Sequence, residues 1–194
     1  EMSASLVGSE MCIRDSIERI IKKASSDADS TNYEAVTYEG YGPNGVAVIV
    51  EALTDNRNRT AGEVRHYFDK FGGNMGTQGC VSFMFSKKGV LVIEREDLEK
   101  DEDTVMSDAL ECGASDFEAD DDVFTIYTET DDFGAVRDEL EKLGYTFVSA
   151  EIEMVPSTYT KLEDEETATK MQKMLDMFED NDDIQNVWHN WEMD

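Results

Sequence analysis

A run of five apolar residues, Val46-Ala47-Val48-Ile49-Val50, does most to limit what this 194-residue chain can fold into. A strand with one wet face alternates apolar and polar residues, whereas a run without a polar position suits a strand covered on both sides. This strand belongs near the middle of a sheet. Just before it, Gly42-Pro43-Asn44-Gly45 supplies a fixed φ at proline and tolerance of positive φ at its neighbours, so Tyr38–Tyr41 and the apolar run are expected to form a hairpin. After it comes the polar, basic stretch Thr54-Asp55-Asn56-Arg57-Asn58-Arg59. Thr60-x-x-Glu63 then has the form of a capping box, which places a helix start at Thr60. Ala61, Val64, Phe68 and Phe71 keep the helical period, with Tyr67 alongside, and Gly72-Gly73 supply the stop.

Residues 73–79 are glycine-rich, and Val81, Phe83 and Phe85 share one face at period two, predicting a strand over 81–86. Lys87-Lys88-Gly89 is a hinge candidate, because apolar strand residues resume at Val90. The pattern then reads strand 89–95, helix 102–112, a short strand near Phe117, strand 123–129, helix 131–143 and strand 145–155. Val105, Ala109 and Leu110 support the first helix; Phe133, Val136, Leu140 and Leu143 support the second. Gly113 and Gly144 end them. This βαββαβ order is the ferredoxin-like arrangement. Beyond Pro156, the acidic start Glu163–Glu166 leads into a helix buried through Ala168, Met171, Leu175 and Phe178, and then a strand over Ile184–Trp191. That is half a domain alone, and it is expected to complete the first half. The predicted fold is α+β: two ferredoxin-like α/β domains, residues 33–87 plus 150–194 discontinuous, with 88–149 inserted.

Charge narrows the function. The net charge is −28, with −3 over residues 1–96 and −25 over 97–194, so only the first half can present a basic face. A polyphosphate is repelled at long range by such a chain, and contact with one requires a local patch. No apolar run reaches the ~20 residues of a membrane span, and no secretory leader is legible, which makes the cytoplasm the expected compartment. Cys12, Cys80 and Cys112 are widely spaced, as suits reduced thiols in a core.

The stretch YEGYGPNGVAVIVEALTDNRNRT, together with Glu63-Val64-Arg65-His66 and Phe71-Gly72-Gly73-Asn74-x-Gly76, resembles the most recognisable motifs of the YebC/PmpR family. The resemblance runs from about Ile17 to the C-terminus. Members are usually described as bacterial transcriptional regulators, and mitochondrial relatives activate translation of cytochrome c oxidase. The resemblance implies a basic helical domain followed by two α/β domains. Residues 17–32 are expected to be the remnant of that helical domain and a linker, and residues 1–16 a non-native segment, since they share neither period nor likeness with it.

The stretch Asn56-Arg57-Asn58-Arg59 is the foremost candidate nucleic-acid contact: forked guanidinium donors suit phosphates, and amides suit bases, sugars or backbone. A loop that pairs with acidic neighbours is the competing account. Arg65, with His66, extends the patch along the helix, while Lys22, Lys23, Lys87 and Lys88 offer further phosphate contacts or simply solvate the surface. Residues 72–79 can cradle an anion through backbone N–H groups, or serve as a tightly packed crossover; they lack the Gly-Lys-Ser/Thr ending of a P-loop. His66 and His189 form no metal-binding spacing, Asp120-Asp121-Asp122 reads as a turn or weak cation site, and no catalytic set, cofactor or metal is expected. Trp188 and Trp191 are expected on opposite faces of the last strand, and Met171, Met174 and Met177 in a core. The expected function is a non-enzymatic regulator of gene expression. Its class is a DNA-binding transcriptional regulator, with a ribosome-associated factor contacting ribosomal RNA as one alternative and a protein-interaction or ligand-sensing module as another; a monomer is favoured.

Overall fold

A computed structural model describes residues 33–96, 98 and 100–192. Lys22, Lys23, Cys12 and the expected remnant and non-native segments lie outside the described residues. The described residues divide into two compact units, one formed by residues 33–84 together with 156–192, the other within Phe85–Val155. In sequence, the second unit is inserted in the first.

In the first unit, strands β1 (Glu34–Tyr41) and β2 (Ala47–Thr54) pair antiparallel from Glu34↔Thr54 to Tyr41↔Ala47. The turn between them is a single 3-10 turn at Pro43–Gly45, with Asn44 at φ 57° and Gly45 at φ 83°. Helix α1 (Arg57–Lys70) leads to the two-residue strand β3 (Asn74–Met75), which pairs with β1. Gly72, at φ 84°, closes the helix: its N–H donates to the Asp69 carbonyl, and that of Gly73 donates to Phe68. Val46–Val50 are all at most 2% exposed, and β2 is an inner strand of its sheet, as a run apolar on both faces requires. One face carries Val46, Val48, Val50 and Ala52 into a core with Val64, Phe68, Met171, Met174 and Phe178. Phe178 sits edge-on to Phe68 (5.3 Å) and Tyr67 (5.6 Å), each such pair adding about 0.5–1.5 kcal/mol to burial.

The second unit runs β4 (Phe85–Glu94), α2 (Glu102–Glu111), β5 (Asp116–Ala119), β6 (Val123–Thr128), α3 (Phe133–Lys142) and β7 (Ser149–Pro156), with sheet order β5-β6-β4-β7. This is the ferredoxin-like order, in which each βαβ crossover encloses a strand of the other. Leu91, Ile93, Phe124 and Ile126 meet Val105, Ala109, Val136, Leu140 and Tyr145 in its core. Asp120–Asp122 form the β5–β6 turn: the Asp120 N–H donates to the Val123 carbonyl, and Arg95, 4.5 Å above the Phe124 ring, donates to the Asp120 carbonyl.

The first unit closes with β8 (Thr160–Lys161), α4 (Glu165–Glu179), β9 (Ile184–His189) and β10 (Trp191–Glu192). Its main sheet has the order β3-β1-β2-β9, while β8 and β10 make a separate parallel pair.

Three local expectations are corrected. Residues 82–84 form a 3-10 turn, and the strand begins at Phe85; the fourth place in the first sheet is filled by β1, whose hairpin with β2 keeps it there. Lys87-Lys88-Gly89 is no hinge but the continuous middle of β4. A glycine stands at 89 because an added Cβ would collide with Phe133 and with the Thr128 hydroxyl. The last strand breaks at the buried Asn190, whose side chain accepts from Ala47 N–H (2.8 Å) and donates to the Thr158 carbonyl (3.1 Å), so alternation does not relate Trp188 to Trp191. Replacing Gly89 with Ala should cost about 1–3 kcal/mol through overpacking, read as a lowered urea midpoint with an unchanged slope.

Candidate nucleic-acid interface

The basic stretch is not a loop. Helix α1 starts at Arg57, so Arg57, Asn58 and Arg59 are its first turn and Asn56 is its N-cap, the side-chain oxygen accepting from Arg59 N–H at 3.2 Å. Thr60, expected to cap the helix, lies inside it and is fully buried. Asparagine is as good a cap as threonine, and what decides between them is a tertiary partner that the local pattern does not reveal.

That partner is Asp183, in the connection between α4 and β9 and 6% exposed. Its Oδ2 lies 2.8 Å from Thr60 Oγ1, 3.1 Å from Thr54 Oγ1 and 2.7 Å from an Arg59 guanidinium nitrogen. The same nitrogen lies 2.7 Å from Asp55 Oδ1. Thr54 Oγ1 also accepts from Asn56 N–H at 2.9 Å, and the Asp183 carbonyl accepts from Leu53 N–H at 2.7 Å. Burial pushes the Asp183 carboxyl up, but hydrogen bonds from Arg59, Thr60 and Thr54 and the Arg59 charge outweigh it, leaving the pKa below its ordinary value. Those two carboxylates raise the Arg59 guanidinium, Asp183 first and Asp55 second. The end of β2, the start of α1 and the approach to β9 are thus fixed around one carboxylate. Beside it, Asn181 donates to Glu63 (2.8 Å) and to the Tyr67 hydroxyl (3.0 Å).

The predicted contact residues therefore divide. Arg59 is held by two carboxylates, though its side chain is 44% exposed. Arg57, Asn58, Arg65 and His66 are exposed on α1, and among the described residues neither Arg57 nor Arg65 makes an ion pair. The Arg57 backbone is anchored, its carbonyl accepting from the Tyr38 hydroxyl at 3.3 Å. Lys87 and Lys88 belong to the second unit; Lys87 is exposed, and the Lys88 ammonium lies 6.0 Å from the Tyr127 ring centre. On the acidic side of Arg59, a cleft of about 450 Å³ is lined by Asp55, Glu63, Asp180, Asp182 and Asp183 with Tyr33 and Tyr67, a poor site for an anion.

The glycine-rich segment does cradle an anion, and the anion is the protein's own. Glu39, 5% exposed on β1, accepts from the N–H groups of Gly79 (2.8 Å), Val81 (3.0 Å) and Ser82 (2.9 Å). Burial pushes this carboxyl up; the N–H groups and Ser82 pull it further down, to a net below the ordinary value. Residue types at 72–79 suit either a cradle or a packed crossover, and the occupant is not legible from them because Glu39 lies 40 or more residues from its donors.

The sequence pattern that defines the TACO1/YebC second and third domain matches residues 33–191. The chain belongs to the TACO1/YebC family. Similar relatives include a "Probable transcriptional regulatory protein" of Acetivibrio thermocellus, 63% identical over 177 residues, covering 91% of this chain and 73% of the relative. A protein of the same description from Finegoldia magna is 59% identical over 178 residues, covering 92% and 73%. Among solved structures, a conserved hypothetical protein of Aquifex aeolicus superposes with a TM-score of 0.77 at 44% identity, covering 91% of this chain and 72% of that one. Within the TACO1/YebC fold, then, the predicted patch falls on the first turns of a helix.

Glu39→Gln would turn an amide donor toward either the Gly79 N–H or the N–H groups of Val81 and Ser82. It should cost about 1–3 kcal/mol at neutral pH. Because the folded-state pKa is depressed, the advantage of the wild type holds above the ordinary carboxylate range and is lost as pH falls through the lowered value. Denaturation of both proteins across an acid series should show the gap closing; a gap independent of pH would contradict the cradle.

Proposed function

We propose that this TACO1/YebC protein is a non-enzymatic regulator of gene expression that acts in the cytoplasm and contacts nucleic acid through the first turns of α1. The observation that carries this reading is that exposed Arg57 and Arg65 of α1 have no carboxylate partner among the described residues, in a chain of net charge −28. In so acidic a protein, guanidinium groups left without carboxylate partners stand out, and the partial positive charge at the helix N-terminus adds to that of Arg57. Asn58 supplies amide donors and an acceptor on the same turn as Arg57. The naming of relatives as transcriptional regulatory proteins favours DNA as the target. Ribosomal RNA is a second reading, favoured by the charge: a chain this acidic is repelled by an extended duplex, while a folded RNA permits a few local contacts.

Binding of a DNA duplex and co-sedimentation with ribosomes, each followed across a salt series, test the proposal and separate its two forms. Arg57→Ala should weaken binding to the true target uniformly across sequences and lower the salt slope by about one. Wild-type affinity and slope in an Arg57→Ala/Arg65→Ala protein would overturn the assignment of α1.

A further inference from the structure

Within the proposed interface, Arg57 and Arg59 stand two positions apart in the same helical turn and look interchangeable in sequence, yet their surroundings differ. One nitrogen of Arg59 is 2.7 Å from both Asp55 and Asp183, so its positive charge is already met by two carboxylates. A phosphate approaching Arg59 meets Asp55, itself 37% exposed, and the acidic cleft behind it. Arg57 has no carboxylate partner among the described residues, and its carbonyl is tethered to Tyr38.

We infer that Arg59 is a positioning residue rather than a phosphate contact: clamped by Asp183 and Asp55, it locks the first turn of α1 so that Arg57 and Asn58 face a phosphodiester backbone. The inference rests on that turn being the contact surface. Asp183 is then a second positioning residue, although it carries the same charge sign as the ligand. It holds Arg59, Thr60 and Thr54 at once, and through Thr54 it holds the N–H of the Asn56 cap. Asn56 in turn receives Arg59 N–H on its side chain and Thr60 N–H on its carbonyl at 3.2 Å. Without the clamp, the turn frays where an orphaned helix end ordinarily does.

Charge and positioning predict opposite signs for one substitution. Asp183→Asn removes a negative charge near a polyanion; were Asp183 a bystander, binding would tighten. Positioning requires that it weaken. Arg57→Ala, Arg59→Ala, Arg59→Lys and Asp183→Asn proteins would be compared with the wild type, well below their melting temperatures, for binding to a mixed-sequence DNA duplex and to isolated ribosomal RNA over a salt series. Hydrogen exchange of the Arg59 and Thr60 amides would be followed in parallel. Arg57→Ala should lower the salt slope by about one and leave those amides protected. Arg59→Ala and Asp183→Asn should each weaken binding several-fold at unchanged slope and speed exchange at both amides. Arg59→Lys, which keeps the charge but not the fork, should recover less than half of the lost binding.

A slope lowered by about one in Arg59→Ala would make Arg59 a direct contact and overturn the inference. So would tighter binding by Asp183→Asn, or full binding by a fully folded Arg59→Ala protein. If the wild type binds neither nucleic acid, the functional reading falls by itself; the exchange data still decide the clamp, since unchanged protection in Arg59→Ala and Asp183→Asn would refute it.

Discussion

A buried carboxylate needs partners, and in the first unit Asp183 takes Thr54, Arg59 and Thr60 from one stretch more than 120 residues away along the chain. Thr54 ends β2, Arg59 and Thr60 belong to the first turns of α1, and Asp183 precedes β9. Truncating Arg59, Thr60 or Thr54 takes one of these partners from the Asp183 carboxylate. The same bonds fix where α1 begins, and hence which way Arg57, Asn58 and Arg65 project from the TACO1/YebC fold. The structural core and the proposed recognition surface thus share one interaction.

Much of the architecture was legible in the sequence because period and punctuation agreed. The apolar run at 46–50 announced a central strand, the Gly42–Gly45 turn announced the hairpin, and the alternation of the inserted half gave its βαββαβ order within a few residues. What stayed hidden depended on distant partners. Thr60-x-x-Glu63 is a sound local capping signal, but Asp183 draws Thr60 inside and leaves the cap to Asn56. Val81, Phe83 and Phe85 alternate as a strand would, yet the N–H groups of Val81 and Ser82 bond Glu39 instead of a neighbouring strand. Neither Asp183 nor Glu39 is distinguishable by type or spacing among 45 acids. For the candidate site, residue types pointed to the Asn56–Arg59 turn; they did not reveal that Arg57 and Arg59 face different electrostatic surroundings.

The acidity of the chain also reads differently against its interior. Two carboxylates are not solvated surface but internal ligands: Glu39 fills the glycine-rich segment, and Asp183 neutralises a guanidinium. Each occupies a place suited to an anion, with backbone N–H groups in one case and a forked cation in the other. An outside anion finds both taken, which directs attention to the donors left over on α1.

The split of the first unit along the chain bears on how the protein is made. Strands β1 and β2, helix α1 and the Glu39 cradle leave the ribosome early, but β9 and Asp183 emerge only after the whole inserted unit has been synthesised. The inserted unit has all its strands in one continuous stretch and can complete its own core first. Until the last strand arrives, β2 keeps an open edge rich in valine and isoleucine, the kind of edge that invites pairing with another chain. During synthesis the strand that ends up most deeply buried therefore carries an unpaired edge until Ile184–His189 are made.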